Sequence, residues 1–279
     1  MDTVVADHGV VVGALGNSMS AGQQTPQCRV VLLGASNLVR GISTVVETAR
    51  QAWEEPLDIV AALGHGRSYG RESSVILRSL PGILSCGIWK SLESHPNIPT
   101  SALLTDIGND ILYGHSVDQT TDWIELCLKR LSRVTDRVVI TELPLESSAR
   151  MKKWKFFALR TIFFPSCRVR YEDAIVRARE LNDRVVELAN KYNVETIRPL
   201  ETWYGFDPIH IKTRVFPAVW REILGKLHFD SKNNNYHASL RRWLLLRSLR
   251  PEQRRLFGIV QQSKQPVYTF ADGTRVSFY

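Results

Sequence analysis

A serine, a histidine and two short turns bearing asparagine and aspartate are the residues of this sequence whose types and order suit acyl transfer. Ser36 follows four consecutive apolar residues, Val30-Val31-Leu32-Leu33, and a small-residue break, Gly34-Ala35. Asn109 lies in Gly108-Asn109-Asp110, and Asp207 and His210 share the segment Asp207-Pro208-Ile209-His210. Attack on a carbonyl by a hydroxyl needs a base for its proton, a carboxylate to hold the tautomer of that base, and fixed donors for the oxyanion that forms. His210 suits the base and Asp207 the carboxylate, because three positions in a turn let both side chains face one way. The Ser36 N–H, a loop glycine N–H and the Asn109 amide suit the donors. Each residue also has a plainer reading. Ser36 stands where a helix N-cap would stand, Asn109 and Asp-Pro are turn formers, and a lone histidine is often structural.

What gives these residues a common address is the order of the elements around them. The spacing predicts a buried strand over 29–34 and a helix over 38–53. A second strand over 57–63 empties into Gly64-His65-Gly66-Arg67-Ser68-Tyr69-Gly70, and a helix is expected around 72–79. Further strands are expected over 101–106, 137–142 and 194–197, with helices over 117–134, through Ile175 to Leu188, and over 213–227. Strands alternating with helices predict a parallel sheet covered on both faces. In such a sheet Ser36, the glycine loop, Asn109 and the Asp207/His210 pair all fall at the carboxyl edge, where open α/β sheets bind ligands.

The four blocks, in this order over about residues 29–228, resemble those of the SGNH (GDSL-like) hydrolases. The resemblance implies a three-layer α/β/α sandwich with a flavodoxin-like sheet and an esterase acting without metal or cofactor. It makes Ser36 the nucleophile, with Asp207 and His210 completing the triad and Asn109, a glycine and the Ser36 N–H forming the oxyanion hole. Gly66, in Gly66-Arg67-Ser68, fits the glycine position best, and Gly70 is the second choice. The family commonly has aspartate immediately before the nucleophile, where this chain has Ala35. A small-molecule or carbohydrate ester is the implied substrate. An acyltransferase with the same triad, or a non-catalytic protein of this fold binding an anionic partner, is the alternative.

The remaining features bear on substrate and surroundings. The chain has 279 residues, 44% of them hydrophobic, which suffices for one large or two small domains. Residues 1–27 read as a flexible leader, 28–229 as the α/β domain, and 230–279 as an appendage made of a basic helix and a β-hairpin around Asp272-Gly273. A formal charge of +8 is compatible with an anionic partner, but no reader motif points to specific nucleic-acid binding. The glycine loop is basic, with His65, Arg67 and Arg71, so Arg67 is a candidate for an acidic or phosphorylated substrate unless it simply reaches solvent. An insertion after the fourth strand, rich in lysine and aromatics over 150–165, offers a substrate wall with Trp154 as a contact, a core-packed segment, or a peripheral contact with anionic membrane. Four scattered cysteines lack metal spacing and read as free thiols. No stretch approaches a membrane span and no signal-peptide core is recognisable, so a cytoplasmic protein is expected.

Overall fold

Along β1 (Cys28–Leu33) successive side chains enter two different cores: Val31 and Leu33 one, Val30 and Leu32 the other. The same alternation divides β2 (Leu57–Ala62), where Val60 and Ala62 part from Ile59 and Ala61, and β5 (Thr100–Leu104), where Ala102 and Leu104 part from Leu103. A strand has a period of two, so strands with apolar residues pointing to both faces must lie between two covering layers. The first layer is α1 (Ser36–Trp53) with α8 (Phe216–Leu227), which bring Leu38, Ile42, Val45 and Trp220 to one core. The second is α2 (Ile88–Ser94), α4 (Val117–Leu131) and α7 (Tyr171–Lys191), which bring Ile88, Ile124, Leu128 and Leu181 to the other. Gly41 sets the closeness of the first layer, because a Cβ there would run into the Trp220 indole. This computed structural model describes residues 25–53, 56–75, 77–94, 97–135, 137–164, 167–228 and 240–279. Most of the expected leader and the break at 232–235 lie outside the described residues.

β6 (Arg137–Thr141) and β7 (Glu195–Ile197) complete the parallel run, in the spatial order β2-β1-β5-β6-β7. Taken in chain order these five strands stand 2-1-3-4-5, the flavodoxin-like arrangement. The order reverses between β1 and β5, so the loops leaving those two strands diverge and leave a crevice. Ser36 follows one of them and Asn109 the other. No helix among the described residues is long and apolar enough to cross a membrane.

The carboxyl-terminal residues correct the expected organisation in one respect. The hairpin is present, formed by β10 (Tyr268–Thr269) and β11 (Arg275–Phe278), with Gly273 at φ +90° in its turn. However, β11 also pairs in parallel with β2, so it is a strand of the central sheet rather than part of an appendage. Val276 and Phe278 are buried in the core of α1 and α8, which is the gain that holds the strand there. The basic helix, α9 (Leu240–Ser248), lies against α1, burying Leu246 and pairing Arg242 with Glu47.

The segment expected as a helix around 72–79 is instead a pair of short strands, β3 (Ser73–Val75) and β4 (Arg78–Leu80). They join β8 (Gln253–Leu256) and β9 (Ile259–Gln262) in a second, antiparallel sheet. Pairing with a strand so distant in sequence overrides the local preference. The four cysteines are free, three of them buried.

Candidate active site

The amino end of α1 has no acidic residue in its first turn, and Ser36 does not cap it. The cap comes from across the switch point. Asp106, two residues beyond β5, accepts the N–H groups of Ala35, Asn37 and Leu38 on Oδ2 at 3.0, 2.9 and 3.2 Å, and the Asn37 amide on Oδ1 at 2.7 Å. A carboxylate there satisfies orphan donors and complements the helix dipole. Asp106 adopts φ +59°, a conformation that aspartate tolerates better than most residues. With its neighbours bound, the Ser36 N–H is left without an acceptor among the described residues.

The Ser36 hydroxyl is thereby free for other use. Its Oγ lies 2.9 Å from Nε2 of His210, and His210 Nδ1 lies 2.6 Å from Oδ2 of Asp207. The carboxylate holds the proton on Nδ1, so Nε2 accepts from the serine O–H. Asp207 Oδ1 also accepts the backbone N–H groups of Ile209 and His210. Burial pushes the Asp207 carboxyl up, but the His210 contact, the Ile209 N–H and the nearby Arg40 outweigh it and hold the group below its ordinary value. Asn37 fixes the histidine turn from the other side, donating to the Ile209 carbonyl at 3.0 Å and accepting the Ile211 N–H at 2.8 Å. Ser147, on α5 (Leu145–Ala149), donates to the Pro208 carbonyl at 2.6 Å.

The glycine loop is held against the same edge. Asp110, fully buried at the start of α3 (Asn109–Leu112), accepts the Ser68 hydroxyl and the Tyr69 N–H. Burial raises the Asp110 carboxyl to about 6, against the pull of those two bonds. The Tyr69 hydroxyl reaches the Leu33 and Thr105 carbonyls, tying the loop beneath the ends of β1 and β5. The Asn109 amide donates to the Arg67 carbonyl at 3.3 Å, which leaves its second hydrogen for the crevice. Gly66 sits at φ +62°, its carbonyl bonded to the Tyr113 hydroxyl and its N–H without an acceptor among the described residues. The Gly70 N–H, by contrast, is engaged by Ser68 Oγ. Gly66 is therefore the better donor of the two glycines.

A cavity opens beside Ser36 and Asn109 and runs beneath α6 (Lys153–Phe163) toward α7. Its walls are apolar for most of their length, with Ile107, Leu143, Phe156, Phe164 and Trp203.

Neither proposed substrate contact lies where the sequence suggested. Arg67 is fully buried and donates to main-chain oxygens of Leu63, Pro81 and Tyr279, so it ties three segments together instead of meeting substrate. Arg67→Met is expected to lower stability by about 3 kcal/mol, since buried main-chain oxygens lose a charged donor, and a urea titration measures it. Trp154 is 59% exposed on the outer face of α6, while Phe156 and Phe164 turn inward to the cavity. That outer face also exposes Phe157, beside Lys152 and Lys153.

Asp106, Asn37 and Ser147 were not legible as site residues. For Asp106 a signal existed: a helix beginning at a switch point with no acid in its first turn requires a cap from the neighbouring strand.

Comparison with known proteins agrees with this architecture. One solved structure overlays with a TM-score of 0.50 at 13% identity, covering 73% of this chain and 97% of its own. The likeness is one of fold. Other similar structures include a member of the lipolytic protein G-D-S-L family from Veillonella parvula, at 14% identity over 70% of this chain and 94% of its own, TM-score 0.43. AlinE4, a SGNH-hydrolase family esterase, matches at 16% identity over 80% of this chain and 93% of its own, TM-score 0.39. No family model matches the chain, and no curated protein does.

Proposed function

We propose that the protein is a serine esterase of the SGNH type, cleaving a carboxylic ester through an acyl-enzyme on Ser36. The observation that carries this reading is the unbroken chain of contacts from Asp207 through His210 to Ser36 Oγ at the switch point of the sheet. Ser36 Oγ attacks the ester carbonyl as its proton passes to His210 Nε2. The oxyanion is received by the Ser36 N–H, the Gly66 N–H and the Asn109 amide. Collapse of the tetrahedral intermediate breaks the bond to the alcohol oxygen, which takes the proton from His210. Water then gives a proton to His210 and attacks the acyl-enzyme, releasing the acid and restoring the serine hydroxyl.

The acyl chain occupies the apolar cavity beside Ser36. Each buried methylene is worth about 0.8 kcal/mol, or roughly fourfold in binding. On p-nitrophenyl esters from acetyl to octanoyl, kcat/KM is therefore expected to climb with chain length until the cavity is filled. Absence of turnover on the whole series would contradict the reading. Asn109→Ala is expected to lower kcat by about a hundredfold or more with a small change in KM, as loss of an oxyanion donor does. A steady-state comparison of the two constants checks it.

A further inference from the structure

The helix above the acyl cavity is apolar on both of its sides. Phe156 of α6 turns inward to the cavity, whereas Trp154 and Phe157 are 59% and 43% exposed. Three positions apart on a helix, these two rings are neighbours on the outer face. Phe206, the residue before Asp207, is 78% exposed and extends the same patch. Lys155 joins them. Its Nζ stands 3.2 Å from the centre of the Phe206 ring and 5.7 Å from that of Trp154, and it donates to the Phe206 carbonyl at 3.1 Å. Single exposed apolar residues are ordinary, but three aromatic rings gathered beside the crevice mark a surface that meets something apolar.

The charge around the rings narrows what that is. Residues 150–165 carry five bases, Arg150, Lys152, Lys153, Lys155 and Arg160, and no acid. Glu201 pairs with Arg150 and Glu172 with Lys153. Lys152, Lys155 and Arg160 have no carboxylate partner among the described residues, and the Arg160 guanidinium lies 5.0 Å from the centre of the Phe157 ring. Rings interleaved with cations match an anionic lipid surface, whose headgroups meet the bases and whose acyl boundary receives the rings. The stems of lysine and arginine run along apolar surface while their charges stay in water, so both demands are met at one depth. Eleven residues are too few to cross a bilayer, so such a helix lies in the plane of the surface.

Resting on the esterase reading, we propose that α6 and Phe206 dock the enzyme on an anionic lipid surface, and that the substrate is a long-chain ester dissolved in that surface. The helix then has lipid on its outer face and the acyl cavity on its inner face. An acyl chain that enters beside Ser36 exchanges one apolar environment for another.

The test floats the full chain with vesicles of phosphatidylcholine, with and without phosphatidylserine. In parallel it measures turnover of soluble p-nitrophenyl acetate and of p-nitrophenyl palmitate dissolved in the vesicles. Wild type is expected to bind the phosphatidylserine vesicles and to leave them as salt is raised. Lys152→Gln is expected to weaken this binding about fivefold and Trp154→Ser about tenfold, with turnover of the palmitate falling in step and that of the acetate kept. Both side chains are exposed, so neither replacement endangers the fold. Lys226→Gln makes the same change of charge at the opposite edge of the sheet, where the Lys226 carbonyl accepts from Arg137 at the start of β6, and should bind as wild type does. Wild type that cleaves the acetate but does not float overturns the proposal and leaves the esterase standing. So does binding weakened as much by Lys226→Gln as by Lys152→Gln, since that is adhesion without orientation. Failure of wild type on both esters removes the esterase reading, and the proposal with it.

Discussion

Ser36→Ala is expected to lower kcat/KM on p-nitrophenyl octanoate by at least about a thousandfold, and His210→Ala by a comparable factor. In the proposed mechanism the two groups, 2.9 Å apart, share one proton transfer, so neither works without the other. The double variant should therefore be hardly slower than either single one, a non-additivity that distinguishes a catalytic pair from two independent contacts. Both side chains can be shortened with little harm to the fold. The helix cap belongs to Asp106, and the histidine turn is held through its backbone by Asn37, Ser147 and Asp207. Thermal melts should accordingly stay close to wild type. Activity losses matched by equal losses of folded protein would contradict the assignment.

The second large effect is at Asp106. Replacing it with alanine strips the acceptor from three backbone N–H groups and from the Asn37 amide. A lost cap costs about 1 kcal/mol and each abandoned, partly buried donor adds to it, so a total near 3 kcal/mol is expected. Alanine is also less tolerant of φ +59° than aspartate. The consequence for catalysis exceeds the loss of fold. Ala35 and Asn37 bracket Ser36, so releasing them loosens both the Ser36 hydroxyl, proposed as the nucleophile, and its N–H. We expect kcat to fall about a hundredfold in protein that is still folded. Asp106→Asn keeps one acceptor oxygen and the backbone tolerance, and should lie between the two. Urea titrations together with kcat per folded molecule separate the effects. A variant Asp106→Ala within twofold of wild type in both would refute the role.

Ala35 acquires its explanation here. Ser36 is preceded by Ala35 and not by a carboxylate, and the Asp106 carboxylate reaches the Ala35 N–H from the neighbouring strand end. The central sheet was legible because its strands are short apolar runs divided by helical patterns, and the candidate site residues were legible as a group because they fall at the ends of those strands. What escaped depended on contacts between distant parts of the chain. Arg78 pairs with Leu256, and Arg275 with Asp58, so neither the second sheet nor the docking of β11 has a local signature. The hairpin turn at Asp272-Gly273 could be read, but not the strand it would join. Arg67 looked like a solvent-facing or substrate-facing base because its three main-chain acceptors come from separate segments. On α6 the aromatic residues alone do not tell which face turns inward. Phe156 took that place and Trp154 did not.

The most direct test of the central claim is covalent trapping. A fluorophosphonate should phosphonylate Ser36, its Oγ forming the P–O bond as fluoride leaves and His210 takes the proton. Mass spectrometry of wild type is expected to show one adduct, mapped to the peptide containing Ser36, with labelling slowed by orders of magnitude in His210→Ala. An unlabelled protein, or an adduct at the same rate in His210→Ala, would contradict the account.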